Sequence, residues 1–388
     1  MHLTENLSLR ALEAPESGIV EIINHARGRE NLLPLWAGEG DLPTPAFISD
    51  ATKTALDNGE TFYTYQRGIP ELRSAIADYY ARHFKARLSP EHIYVTGSGM
   101  HAIKLMVEAL TDVGDEAIYF TPCWPNIAAA LGVSGARKVG VPLTFADGQW
   151  SLDIGEVERA ITPKTTMIFV NTPANPTGWT ASLADLKALL DLSRRHGIWI
   201  LADEIYALYH YAGGRAPSFL DIIEEGDRVV FANSFSKNWS MTGWRVGWVV
   251  APPELGDAIE NLVQYTTSGV AQFMQRGAVA AVSEGDDFVA ENIARATAGR
   301  DIFCDRLLAT NRVETLKPAG AIYAYLKIDG ITDSRRAALD IVDKTGVGLA
   351  PGSAFGNEND PFLRACFLRN GDQLAEAADR LADYIAKL

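Results

Sequence analysis

The chain has 388 residues, of which 47% are hydrophobic and 22% are charged, and its formal net charge at pH 7 is −14. This length is enough to bury a large core and to form two domains, and the composition is ordinary for a globular protein. The acidic balance argues against nucleic acid or an anionic membrane as a main partner. The three cysteines show no paired spacing, so neither a disulfide framework nor a metal site is expected.

The N-terminal end shows no targeting signal. Residues 1–10 lack the apolar core of a signal peptide. No apolar run elsewhere approaches the length of a membrane span. We therefore expect a cytoplasmic protein that has no membrane partner.

The segment before residue 91 is predicted to contain helices joined by loops. A helix over Gly18–Gly28 leads to a short apolar strand over Leu32–Ala37. Residues 38–45 are dense in turn formers, and their glycines would let the backbone approach a ligand closely. Helices are then predicted over Phe47–Asn58 and from Pro70 to about residue 84, because proline suits the first helical turn.

From residue 91 onward, short apolar runs alternate with helical stretches. The candidate strands are Ile93–Thr96, Glu116–Thr121, Arg137–Leu143, Met167–Asn171, Trp199–Asp203, Val229–Ala232 and Trp244–Val250. This alternation is typical of a mostly parallel sheet that is covered by helices on both faces. Ligands of such sheets bind where the strands end, and polar residues cluster at these strand ends.

After residue 285 the pattern changes to a mixture of helices and strands. The predicted elements are Phe288–Leu308, Gly320–Ile328, Arg335–Thr345, Phe362–Leu368 and Gln373–Lys387. The sequence therefore predicts an α/β protein with a large domain over residues 46–285, built on a mostly parallel seven-stranded sheet. Residues 1–45 and 286–388 are expected to form a smaller α+β domain.

Lys237 stands out between the apolar runs Arg228–Ala232 and Val246–Ala251. An unpaired buried ammonium is costly, so a lysine in this place favours a role as an amine. A partly desolvated lysine forms a Schiff base with an aldehyde, and Ser234, Ser236 and Arg245 are suited to an anionic group on that aldehyde. The alternative is a serine-rich surface turn.

The segment Gly97-Ser-Gly-Met-His-Ala102 follows a strand and opens a helix, as in a dinucleotide-binding turn. The next strand ends without an acid that would bind a ribose. The free N–H groups of a helix N-terminus suit a single phosphate, so we prefer a monophosphate site. A simple tight turn remains the third interpretation.

Two charged residues lie on apolar strands. Asp203 ends one of them, and either pairs with a structural cation or faces a ligand cation such as a pyridinium nitrogen. Arg364 lies between Leu363 and Ala365, and suits either an internal carboxylate or the α-carboxylate of a substrate.

Asn175 and Trp124 also follow predicted strands. Asn175 lies in a run of turn residues that either is only a connection or brings an amide donor to a phenolate oxygen. Trp124 is either a core residue or a flat platform for an aromatic ring. Together these residues supply each group that a pyridoxal phosphate enzyme needs.

The chain resembles the class I/II aminotransferases of fold type I, which include the aspartate aminotransferases. The most specific stretch is Ser234-Phe-Ser-Lys-Asn-Trp-Ser-Met-Thr-Gly-Trp-Arg245, which is close to the attachment motif of that family. The resemblance implies pyridoxal 5′-phosphate as cofactor, bound to Lys237 as an aldimine. It implies that Asp203 pairs with the pyridine nitrogen and that Tyr206 contacts the phenolic oxygen. Two departures are Gly40, where the family commonly has proline, and a variant turn at residues 97–99.

The resemblance also assigns the remaining contacts. The other cofactor-binding residues implied are Ser98, Gly99, Met100, Trp124, Asn175, Ser234 and Arg245. The substrate-binding residues implied are Gly38, Trp124, Asn175 and Arg364, with Arg364 on the α-carboxylate. Tyr63 is expected to reach the phosphate of a neighbouring subunit, which implies a homodimer with shared active sites.

The predicted activity is transfer of an amino group from an L-amino acid to a 2-oxo acid, with Lys237, Asp203 and Tyr206 as catalytic residues. A pyridoxal phosphate-dependent β-lyase is the alternative on the same scaffold, because the cofactor does the chemistry and the pocket selects the bond. A regulatory module that binds the cofactor is a further alternative. No basic helix-turn-helix precedes the sheet, which argues against that module.

Overall fold

A computed structural model describes residues 6–315, 317–356 and 360–388. The α-helices in chain order are α1 (Leu9–Leu12), α2 (Gly18–Ala26), α3 (Ala46–Asp57), α4 (Pro70–Phe84), α5 (Gly99–Leu110), α6 (Pro125–Ser134), α7 (Ile154–Ala160), α8 (Leu183–His196), α9 (Gly256–Gln264), α10 (Gln272–Glu284), α11 (Asp286–Leu308), α12 (Ser334–Thr345) and α13 (Gly371–Ile385). The strands are β1 (Leu33–Pro34), β2 (Ile93–Thr96), β3 (Glu116–Thr121), β4 (Arg137–Pro142), β5 (Thr144–Ala146), β6 (Gln149–Ser151), β7 (Thr165–Asn171), β8 (Trp199–Asp203), β9 (Val229–Ser234), β10 (Gly247–Val250), β11 (Val313–Glu314), β12 (Tyr323–Ile328), β13 (Val347–Gly348), β14 (Ala350–Pro351) and β15 (Phe362–Cys366).

The largest sheet has seven strands in the order β2-β10-β9-β8-β7-β3-β4. Strand β10 runs antiparallel to β2 and β9, whereas the other neighbouring pairs are parallel. The prediction of an α/β fold with a mostly parallel seven-stranded sheet is therefore confirmed. Because parallel strands end at a common edge, the segments that follow β3, β7, β8 and β9 lie close together.

Both faces of this sheet are buried, as strand β7 shows. Met167 and Phe169 pack into one apolar cluster, while Ile168 and Val170 pack into another on the opposite face. The first cluster includes residues of α5 and α6, and the second includes residues of α4 and α8. A strand buried on both sides is apolar at each position, which explains the continuous apolar runs in the sequence.

A second sheet, β11-β12-β15-β14, is antiparallel and packs with α11, α12 and α13 in a separate apolar core. Helix α2 joins this core through Ile22. Val289, near the start of α11, packs in the core of the large sheet, whereas Phe303 packs in the second core. The domain boundaries at residues 45 and 285 stay a prediction.

Several predicted strands are shorter in the structure, and two of them differ from the prediction at residues that line the cavity described below. Of the strand predicted over Leu32–Ala37, only Leu33 and Pro34 pair with β13. The strand predicted over Trp244–Val250 was wrong at its start, because Trp244 ends a short 3₁₀ turn. The next residue, Arg245, has a φ of 55°, and this left-handed backbone cannot continue a strand.

The described ranges contain no helix that is both long and apolar enough to cross a membrane. Within the same ranges, no group of three or more histidine, cysteine, aspartate or glutamate side chains is arranged to hold a metal ion.

Candidate active site

A cavity of about 370 Å³ lies at the carboxyl edge of the large sheet and extends to the second sheet. Its lining includes eleven of the thirteen residues that the sequence singled out for the site, namely Gly38, Gly99, Met100, Trp124, Asn175, Asp203, Tyr206, Ser234, Lys237, Arg245 and Arg364. Ser98 lies beside the cavity at the start of α5, and its hydroxyl accepts a hydrogen bond from the His101 N–H at 3.0 Å. The side chain of Tyr63 is 94% exposed on the surface of the chain.

Lys237 follows β9, and its ammonium group is inside the cavity. Nζ donates a hydrogen bond to the carbonyl oxygen of Gly38. Among the described residues no carboxylate lies within ion-pair distance of Nζ. Burial lowers the pKa of Lys237 to about 8, so about one amine in ten is unprotonated at pH 7. Lys237 is partly buried and lines the cavity, which argues against a serine-rich surface turn.

Asp203 is the last residue of β8 and is also buried. Its Oδ1 accepts a hydrogen bond from the Ile205 N–H at 3.3 Å. Burial raises the pKa of Asp203 to about 7, and the charge of Lys237 opposes that rise. No lysine or arginine of the described ranges forms an ion pair with this carboxylate, which leaves a ligand cation as the fitting partner.

Arg364 lies in the middle of β15 with only 2% of its surface exposed. Nη1 donates to Oδ1 of Asn175 at 2.9 Å, and Nη2 donates to the carbonyl oxygen of Trp36. The guanidinium lies between the rings of Tyr323 and Phe355, 4.5 and 4.9 Å from their centroids. In the part of the chain that the structure describes, no carboxylate pairs with it, and Nε is buried without a partner. A carboxylate of a ligand would complete this site.

The N-terminus of α5 and the turn after β9 form the other end of the cavity. The hydroxyl groups of Ser234 and Ser236 are 2.8 Å apart. The left-handed backbone at Arg245 lets its Nη1 donate to the carbonyl of Thr242 at 2.6 Å. The free N–H groups of a helix N-terminus, two hydroxyl groups and a guanidinium form a site suited to a phosphate group.

The family model for aminotransferase class I and II matches residues 30–381. The chain belongs to this family. It is 32% identical to the aspartate aminotransferase of Thermotoga maritima, over 98% of this chain and 99% of that protein. It is 30% identical to the probable N-acetyl-LL-diaminopimelate aminotransferase of Bacillus subtilis, over 98% of this chain and 96% of that protein.

Solved structures show the same fold. The alanine aminotransferase of Pyrococcus furiosus superposes with a TM-score of 0.91 at 27% identity, covering 99% of this chain and all of that chain. The chain is thus a pyridoxal phosphate-dependent aminotransferase of fold type I. The two predictions of fold type and of transaminase activity are confirmed.

The chemical groups that line the cavity of this aminotransferase fit those of pyridoxal 5′-phosphate. The cofactor has an aldehyde, a basic ring nitrogen and a phosphate. The cavity has an amine on Lys237, a buried carboxylate on Asp203 and a helix N-terminus beside Arg245. Each group of the cofactor therefore has a complementary group in one space.

Among the lining residues that the sequence interpretation missed, Trp36 and Tyr323 contact predicted site residues of the aminotransferase. The carbonyl of Trp36 holds Arg364, and the hydroxyl of Tyr323 lies 2.7 Å from that of Tyr206. Tyr323 lies on a predicted strand, but strand periodicity alone does not tell which face of the strand meets a ligand. A backbone carbonyl such as that of Trp36 leaves no signal in the sequence.

Proposed function

We propose that the cavity around Lys237 is the active site of this aminotransferase. The observation that supports this proposal most strongly is that three charged groups, two buried and one partly buried, face one space. Lys237, Asp203 and Arg364 line the same cavity, and among the described residues none of the three has a partner of opposite charge. Folding tolerates such unpaired charges where a ligand supplies the partners.

Pyridoxal 5′-phosphate, when bound, supplies an electron-poor ring that tolerates negative charge at the substrate Cα. Asp203 would hold the ring nitrogen in its protonated form. Because Oδ1 of Asn175 accepts from Arg364, its amide N–H₂ group is left to donate to the phenolic oxygen, together with Tyr206. Trp124 would lie against the ring. The residues proposed for the phosphate are Ser98, Gly99, Met100, Ser234 and Arg245.

Lys237 is proposed to move the proton. Its Nζ, with a pKa lowered to about 8 by burial, accepts a proton from the Cα of the donor amino acid in one half-reaction and donates a proton to the Cα of the new amino acid in the other. An amine with this pKa binds and releases a proton readily near neutral pH. The carbonyl of Gly38 accepts a hydrogen bond from Nζ and holds the group at one wall of the cavity.

Arg364 is proposed to bind the substrate α-carboxylate, with Gly38 as a backbone contact. Its unpartnered Nε supports this role, because a bound carboxylate offers an acceptor to that N–H. A carboxylate held at this point orients the Cα–H bond relative to Lys237.

The substrate side chain is proposed to be uncharged. One segment of the cavity wall includes Ser17 and Ile19, and another includes Ala37, and none of these residues carries a charge. The cationic side chains among the described lining residues are those of Lys237, Arg245 and Arg364, and each already has a proposed role. A second carboxylate on the substrate would therefore meet no cation of this chain at that wall.

The active enzyme is proposed to be a cytoplasmic homodimer with shared sites. Tyr63 is 94% exposed, and the neighbouring Phe62 and Tyr65 are 81% and 63% exposed. Tyr265, which is 85% exposed, lies beside them, since Gln66 and Gln264 are hydrogen-bonded at 2.8 Å. A contiguous group of exposed aromatic side chains is typical of a protein interface, and a second copy of the chain would cover it.

Steady-state assays of the wild type and of the variant Lys237→Ala test this proposal. With pyruvate or 2-oxoglutarate as acceptor, we expect leucine or phenylalanine to give a kcat/KM about tenfold above that of aspartate, because the wall carries no cation. We expect Lys237→Ala to lose about 10³-fold in turnover, as for loss of a general base. Lys344→Ala, on the exposed surface of α12, serves as the matched control and should retain activity.

Turnover by Lys237→Ala near the wild-type rate would contradict the assignment of the active site. A preference for aspartate would contradict only the proposed substrate class. Thermal unfolding of each variant, followed by circular dichroism, checks that any loss of activity is not a loss of fold.

A further inference from the structure

We infer that Tyr323 is a positioning residue that couples the ring contact of Tyr206 to the carboxylate site at Arg364. This inference rests on the proposed function of the cavity. Tyr323 lies outside the motifs that identify the family, and its buried side chain contacts both Tyr206 and Arg364.

Tyr323 is the first residue of β12 and is 1% exposed. Tyr323 pairs with Cys366 of β15, and two residues further along β12, Tyr325 pairs with Arg364. This register places the ring of Tyr323 4.5 Å from the guanidinium carbon of Arg364. The side chain also lines the cavity.

The hydroxyl of Tyr323 contacts the hydroxyl of Tyr206 at 2.7 Å. Burial raises the pKa of both groups, that of Tyr323 to about 12, so both carry protons at neutral pH. Two protonated hydroxyl groups form one hydrogen bond between them, which leaves one proton free. Among the described residues, neither hydroxyl has another hydrogen-bond partner.

Which hydroxyl donates decides whether Tyr206 is able to donate to a ligand. If Tyr323 donates, the proton of Tyr206 is free to point at an acceptor in the cavity. A donated bond also polarises Tyr206 and makes it a stronger donor. A Cβ atom on Gly38 would lie 2.5 Å from Oη of Tyr323, so this hydroxyl lies close to the backbone that carries the carbonyl partner of Lys237.

The ring of Tyr323 has a separate effect on Arg364. A guanidinium over an aromatic face is stabilised by about 0.5–2 kcal/mol, more when it is desolvated. The ring also blocks one side of the guanidinium, while Phe355 lies 4.9 Å from it as a second aromatic contact. Tyr323 thus limits the orientations that Arg364 can take before a carboxylate arrives.

Two variants of the cofactor-loaded enzyme separate the hydroxyl from the ring. Tyr323→Phe removes only the hydroxyl, and Tyr323→Leu removes both. The first readout is the pH midpoint of the visible absorbance in the absence of substrate. The second is the Kd of isocaproate, a monocarboxylate that has no amino group and does not react.

For Tyr323→Phe we expect the midpoint to rise by about half a pH unit. Without the hydroxyl of Tyr323, Tyr206 donates a weaker hydrogen bond to the phenolic oxygen of the cofactor, so more negative charge stays on that oxygen. That charge holds the nearby proton on the Lys237 nitrogen more firmly. The Kd of isocaproate should change less than about twofold. For Tyr323→Leu we expect the same rise and a Kd about tenfold higher, as for loss of a contact worth about 1.4 kcal/mol.

Tyr325→Phe is the matched control. Tyr325 lies on the same strand and is equally buried, but its hydroxyl donates to Asp360 at 2.6 Å, away from the cavity. This variant should lower stability while it leaves both readouts unchanged. A midpoint that does not move in Tyr323→Phe, or that moves equally in Tyr325→Phe, would overturn the inference. A wild type without a pH-dependent band would instead overturn the proposed active site.

Discussion

At the scale of single residues, the cavity is defined by charges that the fold leaves without partners. Asp203 and Arg364 are buried and Lys237 is partly buried, and the described part of the chain supplies hydrogen bonds to them but no counter-ion. Burial moves the pKa values of Asp203 and Lys237 toward each other, to about 7 and about 8. Such a site is preorganised for a ligand at a cost in stability.

That cost leads to a prediction for Asp203→Asn in the cofactor-free protein. An unfolded aspartate has a pKa near 4, whereas burial raises that of Asp203 to about 7. The native state therefore becomes less stable as the pH rises through this window, and the full cost is present above about pH 7. We expect Asp203→Asn to raise the free energy of unfolding by about 2 kcal/mol at pH 8.

Urea unfolding at two pH values measures this effect. Below about pH 4 the carboxyl group is protonated in both states, so the difference between variant and wild type should vanish. A variant that is less stable than the wild type at pH 8 would show that the carboxylate has a stabilising partner in the protein.

Most site residues were predictable at this scale because the chemistry of one cofactor demands several unusual residues at strand ends. Asp203 and Arg364 stand out as charges on apolar strands and Lys237 as a charge between two apolar runs, and the structure brings them to one cavity. Tyr323 and Trp36 were not predictable. A buried tyrosine on a strand looks like any core residue, and a carbonyl contact depends only on backbone position.

At the scale of elements, the phosphate end of the cavity depends on close packing between β10 and the turn that opens α5. A Cβ atom on Gly247 would lie 2.5 Å from the carbonyl carbon of Ser98 and 2.6 Å from the nitrogen of Gly99. Only glycine fits between these two backbone segments. The turn itself is strained, since Ser98 has a φ of 149°.

We therefore expect Gly247→Ala to displace this turn. The substitution should destabilise the protein by about 2–3 kcal/mol, because neither backbone segment yields easily. It should also weaken the retention of the cofactor, measured by absorbance after dialysis. Gly243→Ala is the control, since a Cβ atom at Gly243 meets no atom within 4 Å. Equal retention by the two variants would contradict this account of the turn.

Element boundaries were predictable where local chemistry marks them. Helix α4 begins at Pro70 and ends where Lys85 adopts a φ of 56°, and both predicted ends agree with the structure. The start of β10 was not predictable, because the residue type at Arg245 does not mark its left-handed backbone. The hairpin of β5 and β6 lies outside the alternating pattern and was also missed.

At the scale of the whole molecule, the exposed aromatic group around Tyr63 leads to a prediction about assembly. If Tyr63 completes the site of the other subunit, two defective chains should complement each other. A heterodimer of Lys237→Ala with Tyr63→Ala would contain one site with both native residues and one with neither. We expect about half of the wild-type activity from the isolated heterodimer, selected with two affinity tags.

The matched control carries the same two substitutions on one chain, paired with a wild-type chain. There each site lacks one of the two native residues, so we expect little activity. The reverse pattern, with an active control and an inactive complementing pair, would show that Tyr63 serves its own chain.

The attachment of the cofactor to Lys237 tests the central claim most directly. Borohydride reduction of the loaded enzyme, followed by proteolysis and mass spectrometry, locates the residue that carries the pyridoxyl group. We predict a single modified peptide that contains Lys237, and no such peptide from Lys237→Ala. Modification of a different lysine, or recovery of an unmodified Lys237 peptide from fully loaded enzyme, would contradict the account.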